Sequence, residues 1–155
     1  MTKSTPKKIT PINLAEVTTY QSGVVQSAAF RKLNRVVASF LEAYDLTTME
    51  WFIIGTVYDA GNDGLSLTTL KTKLDTTMPF ITNSIKNLLA KGVLIKSPHA
   101  TDARTKIVAI APSYKATCAE IEKDLRVQMR TLFYKDITPE ELQTYVTVLY
   151  KLTNL

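Results

Sequence analysis

The chain of 155 residues has 45% apolar and 21% charged residues and a net charge of +5, values typical of one globular domain with a substantial core. No apolar run is long enough to span a membrane, and no apolar stretch follows the basic N-terminal residues, so neither a membrane segment nor a secretory signal is expected. With one cysteine and one histidine, the composition excludes an internal disulfide framework and offers no credible metal site.

A long helix is predicted for residues 10–44, after a flexible tail at residues 1–9. Thr10 is the expected N-cap, and Pro11 suits the first helical turn. Apolar residues recur along this segment at helical spacing and form a stripe wider than one small body requires. The helix therefore has apolar surface left for a second partner.

The next helix opens at Thr47 and Glu50, which form a capping box because each side chain can accept a hydrogen bond from the other's backbone N–H. This is the most apolar part of the chain, and Gly61 is its expected left-handed end. Trp51 lies within it. Large aromatic side chains are mostly core residues, so a core position is favoured for Trp51, with a place in a ligand pocket as the alternative.

Two shorter helices are predicted at residues 66–74 and 77–91, joined by a polar turn at Asp75-Thr76. Ser66 is the expected N-cap of the first, and Pro79 lies in the first turn of the second, where its missing N–H costs nothing. At about 100° per residue, the apolar side chains of the second helix share one face. That inward face comprises Ile81, Ile85, Leu88 and Leu89.

The opposite face of the 77–91 helix is polar and has no acid; no carboxylate occurs between residues 76 and 101. An ordinary solvated helix face mixes Glu with Lys, and such a helix remains the alternative here. Asn, Thr and Lys can contact base edges and phosphates, whereas a carboxylate would repel the DNA backbone. This face comprises Pro79, Asn83, Lys86, Asn87 and Ala90, with Phe80 and Thr82 at its edges.

A two-stranded ribbon is predicted after the stop at Gly92, from an apolar run at 93–95 and an alternating apolar run at 106–111. Pro98 favours a loop over residues 96–105. Asp102 and Arg104 lie near the tip of this loop. An arginine suits the narrow minor groove of DNA, and a surface ion pair with Asp102 is the alternative. Helix, turn, helix and ribbon together outline a winged helix-turn-helix unit.

The positive charge of the chain is concentrated in this unit. Residues 66–115 hold eight lysines and arginines and two acids, a local net charge of +6, so the rest of the chain sums to −1. Such a concentration is the electrostatic pattern of a surface that faces nucleic acid.

Two further helices are predicted at residues 113–134 and from residue 138 almost to the end of the chain. Thr138 and Glu141 form a capping box around Pro139 at the first helical position. The apolar stripe of the last helix needs a surface on which to dock. Cys118, in the first of these helices, is expected to be a plain core or interface residue.

From Leu46 onward the sequence resembles the MarR (multiple antibiotic resistance regulator) family of bacterial winged-helix regulators. The spacing fits this family without gaps from residue 66 to 111, and the flanking helices fit its order. The chain departs from the usual pattern at Pro79 and Phe80. The matching motifs are Leu46-Thr47, Leu70-x-x-x-Leu74, Lys91-Gly92, Asp102-Ala103-Arg104 and Ile107-Val108-Ala109-Ile110.

The resemblance implies a mainly α fold with a small β-wing, in which a winged helix-turn-helix lobe at residues 45–112 is flanked by long dimerisation helices at 10–44 and 113–155. It implies a cytoplasmic, homodimeric regulator that binds double-stranded DNA, needs no cofactor and acts as a ligand-responsive repressor. The 77–91 helix would enter the major groove of a pseudo-palindromic operator, and the 96–106 wing the minor groove.

The alternative is a winged-helix protein-interaction module without DNA binding. An enzyme is not expected, because the sequence has no glycine-rich phosphate loop, no supported nucleophile–base pair and no metal cluster, and hence no catalytic residue. The residues expected to contact DNA are Ser66, Thr77, Met78, Pro79, Thr82, Asn83, Lys86, Lys96, His99, Arg104, Thr105 and Lys106.

Members of this family often bind small aromatic or anionic compounds between the DNA-binding lobe and the dimerisation helices. By that resemblance, Tyr20, Trp51 and Tyr58 are the residues expected to line an effector pocket in this chain.

Overall fold

The computed structural model describes residues 12–98 and 106–153. Within these ranges the chain forms six α-helices and a small antiparallel sheet, which confirms the predicted fold class. The elements are α1 (Thr19–Leu41), α2 (Thr48–Asp59), β1 (Leu65–Ser66), α3 (Leu67–Lys73), α4 (Met78–Ala90), β2 (Leu94–Pro98), β3 (Lys106–Ile110), α5 (Lys115–Gln128) and α6 (Pro139–Thr153).

The first helix begins later than predicted. Val17 and Thr18 are extended, and α1 starts after Thr18, whose hydroxyl accepts from the Gln21 N–H at 3.3 Å. The Gln21 side chain accepts in return from the Thr18 N–H at 2.9 Å. The predicted unbroken helix over residues 10–44 is therefore wrong, because this capping box satisfies the free donors at a later position. Thr10 and Pro11, the expected start, lie outside the described residues.

The second helix follows the prediction. The Thr47 hydroxyl accepts from the Glu50 N–H at 3.1 Å, and the Glu50 carboxylate accepts from the Thr47 N–H at 2.9 Å. Between α1 and α2 the chain makes a 3-10 turn (Glu42–Tyr44) and then passes through Asp45 at a φ of 53°, a left-handed conformation that Asp tolerates better than most residues. We call residues 42–47 the α1–α2 elbow.

The helix-turn-helix is confirmed to within one residue at each end of α4. Ser66 caps α3, and Asp75 adopts a φ of 45° in the turn. Helix α4 ends at Ala90 with Lys91 as its C-cap, and just beyond it the Gly92 N–H donates to the Leu89 carbonyl and the Val93 N–H to the Leu88 carbonyl. This pair of bonds closes the helix and turns the chain into β2 because Gly92 accepts a φ of 71° without strain.

The sheet has three strands in the order β1-β3-β2, all antiparallel, instead of the predicted two. In the register, Leu65 lies opposite Val108, Leu94 opposite Ile110, and Pro98 opposite Lys106. The prediction that residue 96 begins a loop is wrong, because β2 continues to Pro98. An edge strand tolerates proline at its end, where a missing N–H breaks no interior ladder.

The hydrophobic core lies where the helix-turn-helix, α2, the sheet and the ends of α1 and α5 meet. Cys118 is buried in it, as predicted, and burial raises the pKa of its thiol to about 11. The largest fully buried side chains are Leu41, Ile53, Ile54, Leu70, Ile81, Ile85, Leu88, Leu94 and Ile121.

The C-terminal third is less regular than the single helix predicted for residues 113–134. A 3-10 turn (Pro112–Tyr114) precedes α5, and a π-helical turn (Met129–Phe133) follows it. Helix α6 begins as predicted: the Thr138 hydroxyl accepts from the Glu141 N–H at 3.2 Å, and the Glu141 carboxylate accepts from the Thr138 N–H at 2.8 Å. None of the residues of α6 is buried.

Candidate nucleic-acid interface

Helix α4 is held against the body by its apolar face. Ile81 and Leu88 have no exposed surface, and Ile85 is 1% exposed. Burying an aliphatic side chain of this size stabilises the fold by about 1.5–3 kcal/mol, so the three together anchor the helix on the body. The predicted inward face is thus confirmed, except that Leu89 is half-buried and Ser84 joins the buried residues.

The other face of α4 points to solvent and presents four of the residues predicted to contact DNA. Pro79, Thr82, Asn83 and Lys86 are all exposed, and their spacing of three, one and three residues places them along one side of the helix. The first turn of α4 contains no acid. The structure therefore brings together a rigid surface that offers hydroxyl, amide and ammonium groups without a competing carboxylate.

Two predicted contact residues lie at helix starts and differ in what their hydroxyls do. The Ser66 hydroxyl is used locally, because it accepts from the Thr69 N–H at 3.1 Å and lies 2.9 Å from the Thr69 hydroxyl. Thr77 occupies the N-cap position of α4, but its side chain makes no capping bond. The capping residues of α1, α2, α3 and α6 all make one.

The remaining predicted contact residues lie at the edge of this surface or beyond it. Met78 is half-buried at the first position of α4, and Lys96 is exposed on β2. Lys106 is the first residue of β3. His99, Arg104 and Thr105 lie outside the described residues, so their placement near DNA stays a prediction.

Lys91 was counted among the bases of the positive stretch, but the structure pairs it with acids. Its ammonium nitrogen lies 3.3 and 3.5 Å from the two carboxylate oxygens of buried Glu50 and 3.5 Å from the Asp45 carboxylate. It also donates to the Asp45 carbonyl oxygen. The charge of Lys91 is therefore largely balanced within the protein, and sequence spacing gave no sign of this because 41 residues separate it from Glu50.

An open cavity of about 590 Å³ lies between α1, the start of α2 and the first turn of α4. Its lining is mostly apolar, with one cationic side chain, Arg35 of α1. The lining residues are Phe30, Asn34, Arg35, Ala38, Thr47, Thr48, Met49, Phe52 and Phe80.

The three residues predicted to line an effector pocket do not line this cavity. Tyr20 and Tyr58 are exposed, and Trp51 packs against the core. Their part in an effector site stays a prediction. The sequence held no signal for the cavity: the exposure of Phe30 and Phe52 is seen only in the structure, where the packing of α1 on α2 places them on one groove.

Neither a metal site nor a membrane-spanning segment is found in the part of the chain that the structure describes. Residues 12–98 and 106–153 contain no group of three or more metal-ligating side chains. No helix formed by those residues is both long and apolar enough to cross a bilayer.

Comparisons with known proteins agree on one class of fold, the winged helix-turn-helix with flanking helices. The multiple antibiotic resistance protein MarR of Salmonella typhimurium is 23% identical over 122 residues, 79% of this chain and 83% of that protein. A crystal structure of a cysteine-to-serine mutant of Escherichia coli MarR with operator DNA has a TM-score of 0.74 at 20% identity, and covers 84% of this chain and 91% of MarR. No protein-family model matches the chain.

A second similar structure is that of AbsC of Streptomyces coelicolor, described as a MarR family transcriptional regulator. It has a TM-score of 0.75 at 14% identity, and the match covers 89% of this chain and 95% of AbsC. The resemblance to the MarR family predicted from the sequence is confirmed by these matches, and the chain has the fold of that family's winged-helix regulators.

Proposed function

We propose that this protein is a DNA-binding transcriptional regulator without catalytic activity, which reads a pseudo-palindromic operator as a two-fold dimer. The observation that carries the proposal is the acid-free, exposed face of α4 on a helix whose opposite face is almost fully buried. A helix that enters the major groove needs both properties, because it must be rigid and must not repel phosphates. A structure of MarR with operator DNA, on the same fold, supports DNA binding by this chain.

The chemistry of the α4 surface fits base reading by Asn83 in the middle of the helix, and phosphate binding at the start of the helix and by Lys86. Asn83 can present its amide to the N6 and N7 positions of adenine, a contact worth about 1–3 kcal/mol of discrimination. Lys86, one turn further on, suits a phosphate. The start of α4 has no capping side chain or acid, so its free N–H groups favour an approaching phosphate rather than oppose it.

The wing is proposed to follow the minor groove beside each half-site. Lys96 is exposed on β2, which leads into the 99–105 segment, and β3 returns from that segment into the core. Arg104 is assigned to the minor groove from its place in the family motif. This contact would respond to groove width and charge, because base readout in the minor groove is degenerate.

The dimer is proposed from apolar surface that the single chain leaves uncovered. An isolated helix of about 12–15 residues is marginal in water, yet all 15 residues of α6 are at least partly accessible. A second copy meeting these helices along a two-fold axis would bury that surface. The exposed apolar side chains concerned are Tyr20, Val24, Val25 and Phe30 of α1, with exposures of 61–70%, and Tyr145, Val146, Val148, Leu149, Tyr150 and Leu152 of α6, with exposures of 38–69%.

Regulation as a ligand-responsive repressor is proposed to use the cavity between α1, α2 and α4. The groove is apolar with Arg35 on its wall, so it suits an apolar or aromatic compound that carries a negative charge. Phe80 belongs both to this wall and to the first turn of α4. A compound that releases DNA must bind the DNA-free protein more tightly by the same factor, since the linkage is reciprocal.

DNA binding is tested by selecting duplexes from a random pool at moderate salt and titrating the selected site. We expect Lys86→Ala to weaken binding and to flatten log K against log salt by about 0.9 for each lost contact, about 1.8 for a dimer. Lys123→Ala removes the same charge from an exposed position on α5 and should change neither quantity. Failure of the wild type to enrich any duplex would contradict the proposal and favour the protein-interaction alternative.

The dimer is tested by sedimentation over nanomolar to micromolar concentrations. We expect a species of twice the chain mass that binds two half-sites about 34–36 Å apart. A stable monomer at micromolar concentration that still binds the operator tightly would contradict the two-fold arrangement.

A further inference from the structure

Lys91 makes three contacts that join the C-terminal end of α4 to the α1–α2 elbow and to the first turn of α2. Its ammonium lies on the carboxylate of Glu50, beside the carboxylate of Asp45 and on the carbonyl oxygen of Asp45. Glu50 is 5% exposed and also holds the Thr47 N–H. Lys91 thus completes the hydrogen bonding of a buried carboxylate that would otherwise be desolvated with only a backbone partner.

This connection is unusual within the chain. Among the described residues, the other salt bridge is Arg126–Glu122, one turn apart on α5 and exposed. The two salt bridges of Lys91 are therefore the ones that connect separate elements in the described part. An exposed pair within a helix contributes little, whereas a pair with one buried partner has a defined geometry.

Lys91 lies at the end of α4 opposite to the end proposed to face DNA. A small change in the helix angle at Lys91 therefore produces a large displacement of the first turn. Lys91 is the C-cap residue, and the helix of 13 residues places its first turn about 20 Å away. A rotation of about 10° about that end would move the first turn by about 3.5 Å, which is more than a base contact tolerates. The buried faces of Ile81, Ile85 and Leu88 hold the helix down, but hydrophobic contact is not directional and does not fix this angle by itself.

We propose that Lys91 is a positioning residue: through Asp45 of the α1–α2 elbow and Glu50 of α2 it fixes the angle of α4 and does not contact DNA itself. The proposal rests on the proposed function for its effect on operator binding, but not for the connection within the protein. It also links the elbow to the dimer, because the elbow is the direct continuation of α1. A shift of α1 would therefore change the angle of α4 through the contacts of Lys91.

The test compares Lys91→Met, which keeps the length of the side chain without its charge, with Lys86→Met on the exposed face of the same helix. A second variant, Glu50→Gln, keeps the acceptor for the Thr47 N–H and removes only the charge. Each protein is measured in two ways: operator affinity as a function of salt, and hydrogen exchange of the α4 backbone amides without DNA. Unfolding curves fix the conditions under which each variant is folded.

For Lys91→Met we expect operator binding weaker by about 2- to 30-fold, an unchanged salt slope, and faster exchange in α4. Lys86→Met should flatten the salt slope and leave hydrogen exchange in α4 unchanged. Glu50→Gln should resemble Lys91→Met, and the double variant should be less affected than the sum of the two, since both act on one contact. If Lys91→Met does not fold, Glu50→Gln carries the same expectations.

Three results would overturn the proposal. A salt slope flattened by Lys91→Met as by Lys86→Met would show a phosphate contact. Unchanged exchange in α4 would show that the contact does not hold the helix, whatever the effect on DNA. Faster exchange with unchanged operator affinity would show a structural role alone. If the wild type binds no DNA, the proposed function fails, and the exchange measurement decides by itself whether Lys91 holds α4.

Discussion

Gly64 is the position where one added methyl group is expected to do most damage. Its backbone has a φ of 64° and a ψ of −169°, a region open essentially to glycine alone. A Cβ atom there would lie 2.5 Å from the carbonyl oxygen of Val108 and 3.1 Å from its carbonyl carbon. Val108 belongs to the central strand β3 and pairs with Leu65, the next residue along from Gly64. Neither Gly64 nor Val108 can move away from the other without disturbing the β1–β3 pairing.

The expected loss of stability in Gly64→Ala is the sum of two contributions. The strained backbone costs about 1–3 kcal/mol, and weakening one hydrogen bond of the β1–β3 pair costs about 1 kcal/mol. The sum is roughly 2–4 kcal/mol, which for a chain of this length lowers the melting temperature by roughly 5–15 °C. Gly55→Ala is the matched control, because Gly55 is helical with nothing within 4 Å of its Cβ position. This substitution should stabilise by about 0.5–1 kcal/mol.

The two variants and the wild type are unfolded by heat and by urea at one protein concentration, since a dimer melts in a concentration-dependent way. The expected order of stability is Gly55→Ala, wild type, Gly64→Ala. A Gly64→Ala protein as stable as the wild type would refute the reasoning, because it would mean that β1 and Val108 can separate at no cost.

Three further predictions concern single side chains. Asn83→Ala should relax the choice of one base in each half-site by about 1–3 kcal/mol, and an unchanged sequence preference in a selection experiment would show that Asn83 reads no base. Arg104→Ala should weaken binding to all sequences and flatten log K against log salt by up to about 2 units in a dimer, with partial recovery in Arg104→Lys; unchanged affinity and slope would leave Asp102 and Arg104 as a surface ion pair. Burial raises the pKa of Cys118 from 9.0 to about 11, so the folded state favours the protonated thiol; this stabilisation is complete below pH 9 and lost as the pH rises from 9 to 11. Over that window the wild type should lose up to about 3 kcal/mol more stability than Cys118→Ala, and parallel pH profiles of the two would contradict this.

Features that depend on neighbouring residues could be predicted from the sequence. The capping boxes at Thr47 and Thr138 each involve residues three positions apart, so their pattern is visible in the chain. The same holds for α4, whose apolar period and stop at Gly92 are both local signals. These features locate the helix-turn-helix and the exposed face of α4 without any knowledge of tertiary contacts.

Features that depend on distant residues could not be predicted. Strand β1 has two residues and no period, and it exists because Val108 lies beside it. The start of α1 was misplaced because Thr10 and Thr18 are both able to cap, and the choice between them is made by Gln21 and by the extended residues before it. Lys91 was counted among the bases of the positive stretch with no sign of its pairing, since its partner Glu50 is far away in sequence. The cavity is shared among α1, α2 and α4, so no single helix pattern reveals it.

The strand order β1-β3-β2 determines which strand edges of the described sheet are left unpaired. An unpaired strand edge is a template on which another chain can add, and long flat edges lead to aggregation. Here β3 is covered on both sides, and one outer strand, β1, has two residues. The other, β2, has exposed Lys96 in its middle and ends at Pro98, which has no N–H to donate. One edge is short and the other is interrupted by a charge and a proline, so we expect both to resist the addition of strands from other copies of the chain.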